Sequence, residues 1–169
     1  MRQVRGQVAV ATTPGQVRRI RLIPEAPPAS EEAIEAILNA DLVTLGPGSW
    51  FTSVLPHLQV PGLRDALQET NATTVMVLNL VAEPGETAGF SSERHIHMLT
   101  QHAPNLKLNY VLVDDNTPLA DTEREYLQRA ANSLDAKVVF ADVQEVDDHG
   151  ALTGRHSPEK LATALRQFL

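Results

Sequence analysis

Thr44-Leu45-Gly46-Pro47-Gly48-Ser49-Trp50-Phe51-Thr52-Ser53 decides how this chain is read. It follows Asp41-Leu42-Val43, so residues 42–45 form a short apolar run of strand type before the chain breaks at Gly46-Pro47-Gly48. A glycine-rich turn after a buried parallel strand presents backbone N–H groups at the carboxyl edge of an open α/β sheet, where such sheets take ligands. Glycine lets the main chain approach a phosphate closely, and the start of a following helix adds partial positive charge. Ser49, Thr52 and Ser53 supply three hydroxyls that can complete an anion's hydrogen bonds. The alternative for the same residues is a tight strand-to-helix turn in which Ser49 or Thr52 is merely the N-cap.

Outward from this stretch, the pattern alternates. Upstream, Ser30 caps a helix to about Asn39, with Glu31 and Glu32 in its first turn and Ala33, Ile34, Ile37 and Leu38 on its apolar face. Earlier still, residues 7–11 and 17–23 flank Thr13-Pro14-Gly15. They predict a β-hairpin over 1–23 with a charged edge at Arg18, Arg19 and Arg21, followed by an extended connector at Pro24–Pro28. Downstream, Pro61 opens a short helix over 62–68. Residues 73–80 read as a strand covered on both faces, with Asn79 at its carboxyl end. A second glycine-rich loop, Glu83-Pro84-Gly85-Glu86-Thr87-Ala88-Gly89-Phe90, follows, and Ser91 or Ser92 caps a helix to about His102. Residues 106–113 form a strand ending in Asp114-Asp115-Asn116, a helix runs from Asp121 or Thr122 to about Leu134, and residues 137–141 form the last strand. Residues 150–154 read as loop, and Ser157-Pro158 opens a terminal helix with Leu161, Ala164, Leu165 and Phe168 inward. Alternation over 30–169 predicts a single α/β domain spanning 1–169, with a mostly parallel, Rossmann-like α/β/α sheet preceded by the hairpin.

At 169 residues the chain can bury a substantial core as one domain, and with no cysteine it has neither disulfides nor thiol chemistry. A net charge of -7 and seven aromatic side chains argue against a nucleic-acid partner. No apolar run approaches membrane-spanning length and Met1-Arg2-Gln3-Val4-Arg5 is unlike a signal peptide, so the expectation is a soluble cytoplasmic protein without membrane insertion. The six histidines lack metal-site spacing: His95 and His97 point to different helix faces. Neither a phosphate-loop lysine motif nor a serine elbow is present. Asp114-Asp115-Asn116 is open to Mg²⁺ or ribose, or is a capped turn. Arg155 is a phosphate-pairing cation delivered by a loop, or part of an Arg155-His156-Ser157-Pro158 helix start. If the strands before the two glycine-rich loops are neighbours, both loops line one crevice, where Asn79 and Glu86 can bond a sugar or ring.

Gly6-Gln7-Val8, the 46–56 stretch, Asn79-Leu80, Pro84–Phe90 and Arg155-His156 together resemble the YvcK-like family, known as gluconeogenesis factors or UDP-N-acetylglucosamine-binding proteins. The likeness runs along essentially the whole chain but covers only the second half, somewhat more, of a typical member, whose opening strand and GGGTG-type loop have no counterpart here. Such a chain is expected to be a truncated form, one whose start is misassigned, or the product of a split gene. The resemblance implies a ligand, UDP-N-acetylglucosamine, and no catalytic residue or resident metal. It carries phosphate and sugar contacts to Gly46, Pro47, Gly48, Ser49, Thr52 and Ser53, more weakly to Asn79, Gly85, Glu86 and Thr87, and a ligand-pairing role to Arg155. It further implies a part in carbon metabolism, cell shape and cell-wall precursor control. The sister group of CofD-like phospholactate transferases uses a GPSN-type loop, from which this chain departs at Gly48 and Ser49. That transferase alternative would need Mg²⁺ held by acids such as Asp114 or Asp115. A further alternative is a fragment that binds no ligand alone, and a sheet edge uncovered by the absent half predicts a homo-oligomer.

Overall fold

Four short strands rich in Val, Leu and Thr lie side by side in chain order as one parallel sheet: β1 (Leu42–Leu45), β2 (Thr73–Val77), β3 (Tyr110–Asp114) and β4 (Lys137–Ala141). The computed structural model describes residues 3–13, 17, 19–81, 91–116 and 118–169. Two helices, α1 (Gln7–Ala11) and α2 (Glu31–Leu38), precede the sheet. The crossovers carry α3 (Leu55–Leu58) with α4 (Pro61–Glu69), then α5 (Ser92–His102), then α6 (Asp121–Asn132). An antiparallel pair, β5 (Gln144–Val146) and β6 (Leu152–His156), and a last helix, α7 (Pro158–Arg166), follow β4.

Right-handed crossovers that advance in one direction stack their helices on one face of a sheet. The core divides accordingly. Met76, Val111 and Val113 pack with Leu55, Leu58, Ile96, Leu99 and Leu127 from α3, α5 and α6. Their alternates Val75, Val77 and Leu112 turn the other way onto Ala164 and Phe168 at the α7 end. This two-residue alternation lets one continuous apolar run serve two cores. Serine hydroxyls cap three of the helices, accepting N–H bonds at 3.2 Å (Ser30 from Ala33), 3.2 Å (Ser91 from Arg94) and 3.3 Å (Ser157 from Lys160). In α6 the Glu123 carboxylate reaches back to the Ala120 N–H at 2.9 Å.

The two edges of the sheet differ. On β4, the Gln128 carboxamide accepts from the Val138 N–H at 3.3 Å and donates to the Ala136 carbonyl at 3.4 Å, filling outward positions that a further strand would use. Arg124 lies over the Phe140 ring of the same strand at 4.2 Å. On the outer side of β1 no strand is paired among the described residues.

The parallel α/β reading holds, with three corrections. The expected N-terminal hairpin is replaced by helix α1 at Gln7–Ala11, and residues 19–23 are not strand. Alternating Val and Ala offered a strand period, but no residue of α1 is buried and Val8 is 77% exposed, so no apolar face holds an extended pairing in register. Pro14 and Gly15 of the proposed turn lie outside the described residues. The strand read as 73–80 stops its ladder at Val77, because Asn79 is drawn toward the preceding loop. The region read as loop over 150–154 is half of an antiparallel hairpin. Its turn is organised by Asp147, whose carboxylate accepts from the His149 and Ala151 N–H groups at 2.9 and 2.8 Å, and by Gly150 at φ +79°.

At the amino end of β2 the Asn109 side-chain oxygen accepts from the Thr74 N–H (2.7 Å) and hydroxyl (2.9 Å). Thr74 is buried, so Asn109→Ala strands a buried donor pair. It is expected to cost ~1–3 kcal/mol, read as a lower urea midpoint at unchanged slope.

Candidate functional site at the carboxyl edge

The loop after β1 is built on a position that demands glycine. Gly46 has φ +75°, and a Cβ there would stand 2.9 Å from the Val77 carbonyl oxygen of the neighbouring strand. The Gly46–Pro47 peptide is cis. Two residues on, the Asn79 carboxamide grips Gly48 at both ends: Oδ1 accepts the Gly48 N–H and Nδ2 donates to the Gly48 carbonyl, each at 3.0 Å. β1 and β2 are direct neighbours, so the loop leaving one strand is stapled to the exit of the other. This is the adjacency the shared-crevice reading required. Gly85, Glu86 and Thr87 of the second loop lie outside the described residues.

Beyond Gly48 the chain enters a widened turn, Trp50–Val54, closed by an i→i−5 bond from the Leu55 N–H to the Trp50 carbonyl. The Ser49 carbonyl takes two donors, the Ser53 and Val54 N–H groups at 2.9 and 3.0 Å. π-type turns of this kind recur at functional sites. Here the turn buries Trp50, Phe51 and Val54 together, and Trp50 packs on His95 with ring centroids 5.0 Å apart. The Ser49 hydroxyl accepts from the Thr52 N–H at 3.1 Å and is hydrogen-bonded to the Thr52 hydroxyl. Ser49 is therefore the N-cap of this turn. Ser53 is exposed, and Gln7 of α1 donates to the Thr52 carbonyl at 2.9 Å.

The β5–β6 arm approaches the same edge. Gly154 faces Val81 just beyond Asn79, the Cβ direction meeting a Val81 methyl at 3.4 Å. The Leu78 carbonyl and the Asp114 charge both favour a proton on the His156 ring, against the larger effect of burial, which lowers its pKa. Arg155 is exposed on the strand face opposite His156, and its guanidinium forms no ion pair among the described residues. It is thus carried on a strand, not a loop as the sequence suggested. The signal was present in Asp147-Asp148-His149-Gly150, a turn sequence between two short apolar-containing runs.

The acidic cluster after β3 is occupied with structure. Asp114 is buried, and its Oδ1 accepts from the Val143 N–H at 3.2 Å and from Asn116 Nδ2 at 3.3 Å. Asp115 pairs with Arg124 at 3.9 Å. Asp142 bonds Lys160 at 2.8 Å and Asn116 at 2.8 Å, and the Lys160 ammonium holds its carboxyl below the usual range. Among the described residues no group of three or more histidines and carboxylates is placed to hold a metal ion. Burial lowers the His95 pKa, with the Ser91 carbonyl, 3.0 Å from Nδ1, working against it.

Set beside known proteins, residues 1–154 match the family model described as 2-phospho-L-lactate transferase CofD. A Mycobacterium tuberculosis protein named as a gluconeogenesis factor is 56% identical over 164 residues, which are 97% of this chain and 46% of that protein. The corresponding Mycobacterium leprae protein is 55% identical, over 97% of this chain and 44% of its own length. This chain therefore spans slightly less than half the length of these curated relatives. A crystal structure of a Bacillus halodurans protein superposes with a TM-score of 0.78 at 26% identity, covering 96% of this chain and 55% of that one. A second structure of a Bacillus halodurans protein, assigned to the UPF0052 family, gives 0.77 over 95% and 54%.

The Asn79–Gly48 staple has a direct test. Asn79→Ala removes both bonds and is expected to cost ~1–3 kcal/mol while accelerating amide exchange at Gly48 more than in β3. Equal acceleration throughout would mean that Asn79 supports the sheet and not the loop.

Proposed function

Because this chain belongs to the 2-phospho-L-lactate transferase CofD family, we propose that it is a nucleotide-sugar-binding regulatory protein whose ligand is of the UDP-N-acetylglucosamine type. The observation that carries this reading is the Gly46-Pro47-Gly48-Ser49 loop, ordered by Asn79 at the carboxyl edge with the Ser49 and Thr52 hydroxyls beside it. Hydroxyls on a glycine-rich loop of this kind suit a diphosphate, while the Gly48, Thr52, Ser53 and Val54 N–H groups keep the loop in shape. Pro47 and Ser53 complete the loop surface. Arg155, charged and without an ion-pair partner among the described residues, supplies the compensating cation. Gly85, Glu86 and Thr87 are assigned to the sugar side from the sequence resemblance alone. The gluconeogenesis-factor name of the relatives supports a role in carbon metabolism, and we extend it to cell shape and cell-wall precursor control.

In this reading the protein works in the cytoplasm. No helix among the described residues is long and apolar enough to cross a membrane, and the net charge of -7 disfavours nucleic acid as a partner. The unpaired outer side of β1 supports a homo-oligomer, which light scattering would show as a mass above one chain. A monodisperse monomer would count against it.

The transferase reading is favoured by the family's description and predicts divalent-dependent turnover of a nucleotide diphosphate conjugate. The engagement of Asp114 and Asp115 in protein contacts weighs against it.

Isothermal titration separates these readings. The regulator predicts saturable heat with UDP-N-acetylglucosamine, less with UDP, none with free N-acetylglucosamine, and no product. Arg155→Ala is expected to weaken binding about 10- to 100-fold, from ~1.5–3 kcal/mol for a hydrogen bond to a charged group. Product formation that requires Mg²⁺ would replace the regulator with the transferase.

A further inference from the structure

β6 is an unusual carrier for a binding residue. Leu152, Thr153 and Arg155 are exposed, and Gly154 has no side chain. His156 is the one side chain of the strand that turns inward, and its Nε2 is buried without a hydrogen-bond partner among the described residues. The Leu78 carbonyl, at the exit of β2, and the Asp114 carboxylate, at the end of β3, both act on the ring. The base of the arm is closed by a bond from the Ser157 N–H to the Val143 carbonyl at 2.9 Å. The β6 side of the arm thus rests on the sheet edge through His156 and through the approach of Gly154 to Val81.

We propose that His156 is the positioning residue that seats β6, and with it Arg155, on the carboxyl edge, and that it does so as the neutral imidazole. The functional half of this statement rests on the reading of Arg155 as the ligand's cation; the mechanical half does not. A buried nitrogen without an acceptor accommodates a lone pair more readily than an added proton and its charge. Burial is also the dominant influence on this ring and lowers its affinity for a proton, with the Leu78 carbonyl and Asp114 opposing.

The other charged groups nearby are engaged elsewhere. Arg155 projects from the opposite face of the strand. Glu159 of α7 accepts from the Ser157 hydroxyl at 3.1 Å, and Asp142 is held by Lys160 and Asn116. Asp114 is the carboxylate that acts on the ring.

The sign of the pH dependence follows. The ring binds its proton less readily when the arm is seated than when it is released, so release takes up a proton. Seating is complete above the ordinary histidine pKa of about 6.5 and weakens as pH falls below it. The limit for one proton is about a tenfold change in the seated-to-released ratio per pH unit.

The test is NMR on the full chain, following two signals from about pH 8 to about pH 5. One is the His156 ring shift. The other is the contact between Gly154 and the Val81 methyls, which reports seating without involving the histidine. Loss of the contact in step with His156 protonation is expected. The non-titrating variants His156→Asn and His156→Gln are expected to hold the contact constant across this range.

A Gly154–Val81 contact that ignores pH in the wild type overturns the proposal, as does the same pH dependence in both variants. Should the variants not fold, the coincidence of the two wild-type midpoints decides the matter. His95, also held low by burial, titrates on α5 and serves as the internal control.

Titration with UDP-N-acetylglucosamine at both ends of the range distinguishes the two halves. No heat at either pH, with seating still following His156, removes the role of Arg155 and keeps the seat. Binding at both pH values without any movement of the arm removes the seat and keeps the ligand.

Discussion

Two asparagine carboxamides bracket β2, and the geometry of the carboxyl edge depends on both. At the amino end Asn109, entering β3, takes the Thr74 N–H and hydroxyl, fixing the register of the two central strands. At the carboxyl end Asn79 takes both polar groups of Gly48 and fixes the loop after β1. Between them the strand side chains alternate into two cores, so a one-residue slip would turn every buried residue of β2 onto the wrong face. The Gly46 loop is positioned by that register. Its left-handed glycine sits against the carbonyl of Val77, the last residue of the ladder.

Much of this was legible along the chain because it is local. Ser30, Ser91 and Ser157 announce their helices through bonds three residues long, and Pro61 marks α4. The apolar runs at β2, β3 and β4 exceed what a one-sided strand needs and so declared a covered parallel sheet. What escaped is non-local. Asn79 and Gly48 are 31 residues apart, and only the side-by-side placement of β1 and β2 lets them meet. The alternation at Gln7–Ala11 looked like strand because periodicity cannot report whether a face finds anything to cover it. The hairpin carrying Arg155 was hidden by polar residues at Thr153 and Arg155, which an exposed arm tolerates. The buried nitrogen of His156 exists only once β6 lies on the sheet edge.

The loop is ordered by the protein's own contacts. Asn79 has fixed the Gly48 backbone, and the Trp50–Val54 turn is locked under Trp50, Phe51 and Val54. Binding at such a site costs little conformational entropy. For the anion proposed at this loop, the bond between the Ser49 and Thr52 hydroxyls is the part that would rearrange, since an anion takes a hydroxyl proton turned outward. In the proposed reading, recognition at this loop would be an exchange of partners between two hydroxyl groups on a fixed backbone.

The Gln128 side chain gives the sheet a direction. A sheet open at both ends can be extended indefinitely, each added unit exposing a fresh edge for the next. Here one end is terminated, in the way a capped monomer ends a polymer, because Gln128 satisfies part of the β4 edge and Arg124 covers Phe140. Within this sheet, among the described residues, β1 is the edge left for strand pairing, and two such ends meeting would exhaust each other. In the homo-oligomer proposed above, pairing through β1 would halt at two chains related by a two-fold axis, with no fresh edge of this sheet for a third.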